Sequence, residues 1–181
     1  MMYFFVFIVF ILIIILIGII KRYNRIKRLK NKVLQSKSGV DVALKKRFDL
    51  IPNLAEVVKG YCSYEYQTIM NITTLRAQYY QSMNLRLGAE LYKQTNFFLI
   101  VQERYPSLKA NQNFLQLQQA LSSTENEIAA ARCLYNSDVT MFNNEIQIFP
   151  NNIVASIIGE NTFEPFSFDE RDNQVNINFT R

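Results

Sequence analysis

Glu125 and Glu127, two carboxylates on one stretch of periodic apolar sequence, and Asp49 and Glu56, on either side of Pro52, are the side chains that could do acid–base chemistry. Such work needs two facing groups held in different protonation states. Residues two apart on a helix point to different faces, so Glu125 and Glu127 make a poor pair, and an ion pair or hydrogen-bonded core contact is the expectation for each carboxylate. The chain contains no histidine. That removes the commonest general base, the commonest zinc ligand and every Ser-His or Cys-His arrangement. No G-x-G-x-x-G or G-x-x-x-x-G-K-S/T string occurs among the five glycines, so phosphate-cradling loops are missing as well. The expectation is no catalytic set, no cofactor and no metal site.

A second constellation is polar rather than reactive. Glu125, Asn126, Arg132 and Asn136 lie beside Thr124, Ile128 and Tyr135, whose spacing marks an apolar seam, and Asp49 and Asn53 flank the proline break. Polar groups at the border of a seam need partners. They either fix the register of packed helices, with Glu125 or Asn126 satisfying Arg132 or a neighbouring helix, or line a polar groove for a partner; the first is the expected role.

The elements that position these residues read as long helices. Tyr23, Ile26, Val33, Val40, Leu44, Phe48 and Ile51 recur at gaps of three, four or seven, which is one helical stripe. Nothing before Gly39 breaks it, so one helix is expected from residue 3 to about Asp49, some 70 Å at 1.5 Å per residue. Pro52 ends it and suits the first turn of the next. That next helix is expected over 53–82, with Leu54, Val57, Tyr61, Thr68, Ile72, Leu75 and Tyr79 on one face. A third is expected over 85–105, ended by Pro106. The fourth, over 113–150, carries the longest seam: Phe114, Leu117, Leu121, Ile128, Ala131, Tyr135, Phe142, Ile146 and Phe149. Long helices with short linkers give an all-α fold, a four-helix antiparallel up-and-down bundle. Strand-like alternation is confined to Val175, Ile177 and Phe179. The expected domains are an anchor at 1–20, a bundle at 21–159 and an acidic, extended tail at 160–181.

Residues 3–20 form a membrane span. Sixteen of these eighteen are Ile, Leu, Val or Phe, which favours insertion by roughly 5 to 10 kcal/mol. As a helix the stretch is about 27 Å long, close to the hydrocarbon thickness. No Lys or Arg precedes it and no small-residue cleavage pattern follows, so an uncleaved anchor is expected rather than a signal peptide. Seven Lys or Arg and no acidic residue lie in 21–32. By the positive-inside rule that flank stays in the cytoplasm, with the N-terminus outside and the bundle inside. Of these bases, Lys21, Arg22, Arg25 and Lys27 fall within a Debye length of about 10 Å and are the expected contacts to anionic lipid. These four are read as a juxtamembrane segment and not as a nucleic-acid site, whereas Arg28, Lys30, Lys32 and the cluster Lys45, Lys46 and Arg47 call for solvation, neighbouring acidic faces or a tilted helix. Charge is also polarised along the chain: residues 1–47 carry eleven Lys or Arg against Asp41 alone, whereas 48–181 carry nine against fourteen Asp or Glu.

Several strings in fixed order, YNRIKRLKNKV, GVDVALKKRFDLIPNLAEVVKGY, YPSLKANQNFLQLQ, STENEIAAARCLYN and FPNNIVASIIG, resemble the LemA family of bacterial membrane proteins over nearly the whole chain. Departures from the family pattern are Phe48, where a polar or small residue is usual, and Cys62 and Cys133, where alanine or arginine is. The resemblance implies a bundle of long antiparallel helices and no established enzymatic chemistry. It also implies a setting in the cell envelope, in magnetosome membranes for some relatives and beside membrane metalloproteases for others. Ten Tyr and fourteen Phe exceed what one stripe per helix can hide, so some are expected at the surface; the aromatics either fill the core of long helices or form a contact face for identical subunits or another protein. The leading functional expectation is a non-enzymatic, membrane-anchored homo-oligomer that shapes a membrane patch or scaffolds envelope partners. The alternatives are a monomeric adaptor or receptor for a membrane protease or another envelope protein, and, third, a carboxylate-only enzyme.

Overall fold

The computed structural model describes residues 1–168. The strand-like stretch at Val175–Ile177–Phe179 therefore lies outside the described residues, and among those described there is no strand. The chain is all-α, as its periodicity requires. Helix α1 spans Met2–Phe48, α2 Ile51–Lys59, α3 Tyr66–Ser82, α4 Leu85–Thr95, α5 Phe97–Arg104, α6 Pro106–Lys109, α7 Gln112–Gln147 and α8 Asn151–Ile157, with a 3-10 turn at Ser63–Glu65. Two compact units divide it: Met1–Gly39 with Cys133–Pro165, and Val40–Arg132 with the segment that begins at Phe166.

In the first unit α1 changes character at the end of the apolar stretch. An eighteen-residue window near the N-terminus has mean hydropathy 3.4 and none of it is buried by the protein. Beyond it only one stripe is covered, and Ile26 and Val33, seven residues apart, are fully buried. The second half of α7 supplies Tyr135, Val139, Phe142 and Ile146, buried at gaps of four, three and four. Helix α8 ends in a Schellman motif: Gly159 takes φ +69°, its N–H donates to the Ser156 carbonyl, and the Glu160 N–H donates to the Ala155 carbonyl. Glycine adopts this left-handed backbone without steric cost. The chain is then held on α7. The Asn143 amide both donates to the Phe163 carbonyl and accepts from the Phe163 N–H, each at 2.9 Å, while the Tyr135 hydroxyl donates to the Glu164 carbonyl at 3.0 Å. Phe163 meets Phe142 edge to face, with ring centroids 5.1 Å apart.

The second unit packs the end of α1 among the shorter helices. Val40, Leu44 and Phe48 are fully buried, with Phe48 edge-on to Tyr79. Pro52 lies in the first turn of α2. Arg76 covers the C-terminus of α1, donating through Nε to the Phe48 carbonyl at 2.8 Å. Two expected helices are each divided. The one expected over 53–82 stops at Lys59, because Gly60, Tyr61, Cys62, Ser63 and Tyr64 are five consecutive residues of poor helix propensity. Cys62 turns inward there and Tyr61 outward. The one expected over 85–105 is interrupted at Asn96, whose N–H bonds three residues back to Lys93 instead of four. Asn84 caps α4 by accepting from the Arg86 N–H, and Asn111 precedes α7 by accepting from the Phe114 N–H. The α7 seam continues here as Phe114, Leu121, Thr124 and Ile128, all buried. Phe149, assigned to the seam by its spacing, is instead 79 % exposed, since α7 has already ended at Gln147.

Gly88 of α4 permits close packing: a Cβ there would stand 3.0 Å from Leu44 Cδ1 and 3.0 Å from Tyr79 Cε2. Gly88→Val should therefore lower the urea-unfolding stability of the detergent-solubilised chain by about 1–3 kcal/mol. In Gly88→Ala the gain in helix propensity, about 1 kcal/mol, offsets a smaller displacement. Equal and negligible effects of both substitutions would show that this contact does not constrain the packing.

Candidate functional site

The polar centre of the second unit forms around Arg47, in the last turn of α1. Its side chain has no exposed surface. Nε donates to Thr95 Oγ1 at 3.0 Å, Nη1 to Glu125 Oε2 at 3.0 Å and the Leu121 carbonyl at 3.4 Å, and Nη2 to Asn96 Oδ1 at 3.1 Å. The guanidinium also lies 4.4 Å from the centre of the Tyr92 ring. A fully desolvated cation is tolerated only when paired and hydrogen-bonded in this way. The interruption at Asn96 follows from the same demand, since Thr95 and Asn96 both turn their oxygens to the guanidinium.

Glu125 is the anionic partner, half-exposed, and both of its oxygens are engaged: Oε2 by Arg47 and Oε1 by the Tyr92 hydroxyl. Burial, reinforced by the hydrogen bond to Glu125 and opposed by the Arg47 charge, pushes the Tyr92 phenol up to about 12. Tyr92 therefore stays a donor across the physiological range. Asp49 is likewise taken, by the Tyr80 hydroxyl at 2.6 Å and Arg76 Nη2 at 3.2 Å. Burial, with the Asp49 hydrogen bond next, pushes the Tyr80 phenol up to about 12. Glu127 pairs with Lys46 at 2.5 Å.

The border residues expected to act together are thus spread over separate contacts. Glu125 bonds to Arg47 rather than Arg132. Arg132 lies 4.1 Å from the centre of the Phe168 ring, which in turn stacks on Tyr92 at 4.0 Å. Asn53 lines an open polar cavity of about 470 Å³ with Glu56, Asn113 and Gln116. Asn126 is exposed, and Asn136 belongs to the first unit, where its carbonyl accepts from the Thr140 hydroxyl. The sequence groups Arg47 with Lys45 and Lys46 and allows them neighbouring acidic faces, but does not single it out as buried, although a signal existed: it stands three residues after Leu44 and four before Ile51, inside the apolar stripe.

The basic run after the span meets two carboxylates of the first unit. Glu145, 6 % exposed at its side chain, pairs with Arg25 Nε at 2.8 Å and accepts from Asn151 Nδ2, whose own Oδ1 accepts from Arg22 Nη1 at 2.7 Å. Glu160, delivered by the Gly159 turn, accepts from Lys27 at 2.7 Å and Lys30 at 2.8 Å. Burial opposes its ionisation, but the hydrogen bonds and charges of the two lysines outweigh this and hold the carboxyl below its usual range. The hydrogen bond that Lys27 donates to Glu160 raises the lysine in return. Of the four expected lipid contacts, Arg22, Arg25 and Lys27 each donate to a protein acceptor, and Lys21 is exposed. No group of His, Cys, Asp or Glu among the described residues could hold a metal ion.

The LemA family model matches residues 36–179. The chain belongs to the LemA family. Protein LemA of Metamycoplasma hominis is similar to it, 28 % identical over 133 residues that make up 71 % of this chain and 61 % of the relative. The chain thus spans about three-fifths of the length of that curated relative. Family membership together with the exposed apolar helix at its N-terminus makes this a membrane-anchored LemA-family protein.

If the Glu125 carboxylate compensates the buried Arg47 charge, Glu125→Leu should cost about 3 kcal/mol, because it strands a desolvated cation. Arg47→Met together with Glu125→Leu should recover a large part of that loss in a double-mutant cycle on urea unfolding. Additive losses would mean that the pair is not coupled.

Proposed function

We propose that this LemA-family protein acts by binding rather than catalysis, as a membrane-anchored scaffold whose copies associate through the second unit. The observation that carries this reading is an aromatic and apolar patch around the 3-10 turn, where Tyr61, Tyr64, Tyr66 and Met70 are exposed and Tyr64 reaches 94 %. Exposed apolar clusters of this kind mark contact surfaces. Copies anchored in one bilayer also meet at a raised effective concentration, so a modest patch suffices. Against a carboxylate-only enzyme stands the engagement of both Glu125 oxygens and of Asp49 by internal donors. The orientation proposed is N-terminus outside and helices inside, supported by the seven basic residues that follow the span.

A photoreactive phenylalanine analogue in place of Tyr64, irradiated in native membranes, should give an adduct of twice the chain mass. Adducts with a different protein alone would favour the adaptor reading, and no adduct at all would remove both. For orientation, Cys62→Ala and Cys133→Ser should be combined with a cysteine added after Arg181. That cysteine should resist a membrane-impermeant maleimide in intact cells and react after permeabilisation; labelling of intact cells would reverse the topology.

A further inference from the structure

Between the end of α7 and the end of α8 the chain exposes four large apolar side chains in ten residues: Ile148, Phe149, Ile153 and Ile157, the last 80 % exposed. A seven-residue helix with its isoleucines outward has the opposite pattern to a water-facing surface helix. Its position explains the pattern. Ile153, Ile157 and Ile158 share one apolar cavity of about 550 Å³ with Ile15, Gly18, Ile19 and Ile20 of the membrane span and with Arg22 and Tyr23 just past it, so the cavity straddles the end of the span. Ile15 lies five residues before the end of that span at Ile20, about 7 Å inside it at 1.5 Å per residue. That is the depth, about 5–10 Å, at which interfacial helices rest.

Polar contacts fix the same level from the other side. The first residue of α8, Asn151, is tied to Arg22 and Glu145, and Glu145 to Arg25, all just past the span. The polar end of α8 is therefore fastened where headgroups lie, and its isoleucines sit beside α1 residues that already face hydrocarbon. At Gly18 a Cβ would find nothing within 4 Å, so the cavity wall there is open.

The geometry points to α8 and the preceding turn as a second membrane contact, half-embedded in the leaflet that α1 leaves, with lipid acyl chains filling the groove between α8 and α1. The occupant is lipid because the groove continues a surface that is itself lipid-facing. This inference rests on membrane anchoring alone and is independent of self-association.

The chain has no tryptophan, so a single introduced one reports its own surroundings. Ile157→Trp and Phe149→Trp, both at exposed positions, and Leu134→Trp as an exposed reference on α7, are made in the full chain. Each is reconstituted into vesicles of phosphatidylcholine and phosphatidylglycerol with plain or brominated acyl chains. The Ile157→Trp and Phe149→Trp proteins should lose about half of their emission or more to brominated lipid and resist aqueous iodide, as expected of side chains at the acyl boundary. Leu134→Trp should do the reverse. Quenching of the first two by iodide and not by bromolipid would overturn the inference. So would protection from both quenchers that disappears as protein is diluted in the membrane, which would place a second copy in the groove.

Discussion

A helix that leaves a bilayer must keep every backbone hydrogen bond within itself until water can take over, because an unsatisfied N–H or C=O in hydrocarbon costs several kcal/mol. In this protein α1 meets that constraint by not ending at the membrane surface. It runs from Met2 to Phe48 without interruption, and the side chains change while the backbone does not. The first zone is apolar all round, the second basic, and the third apolar along a single stripe. Most other features are responses to this one helix. Glu145 and Glu160 face its basic zone, and Phe48, Leu44 and Arg47 draw the shorter helices against its end.

The basic zone is consequently engaged by the protein itself. Arg22, Arg25, Lys27 and Lys30 each donate to a protein acceptor. Exposed ion pairs contribute little on their own, about 0–1 kcal/mol. Glu145 and Glu160 differ in that the carboxylate is nearly buried while its cationic partner reaches solvent. The carboxylates order the basic side chains along one flank of α1. Gly159 matters here out of proportion to its size, since its left-handed backbone is what turns Glu160 toward the lysines.

Much of this was legible in the sequence where a pattern was long. The span appears as a long apolar helix that the protein does not bury, and the stripe through Ile26, Val33, Val40 and Leu44 and the seam through Phe114, Leu121, Ile128, Tyr135, Phe142 and Ile146, each periodic over many turns, appear with these residues inside. Local breaks were harder to read. Gly60 sits within a stripe that continues beyond it, so periodicity hid the interruption that five weak helix formers impose. Asn96 interrupts a helix for a reason remote in sequence, the guanidinium of Arg47. Helix α8 was missed because its exposed isoleucines contradict the rule that apolar residues face the protein. At the polar border the sequence left the partner of Glu125 open between Arg132 and a neighbouring helix; it is Arg47 of α1, seventy-eight residues earlier, a separation that spacing along one helix cannot read.

Continuity of α1 through the membrane boundary is the claim on which the account turns, and a distance measured along the helix tests it directly. Spin labels on cysteines at Phe5 and Gln35, both exposed, in the chain lacking Cys62 and Cys133, would be measured by pulsed electron resonance in lipid nanodiscs. An unbroken helix places the two backbones about 45 Å apart at 1.5 Å per residue, with one narrow distribution. A broad distribution, or one centred well below that distance, would mean that the helix breaks at the membrane surface.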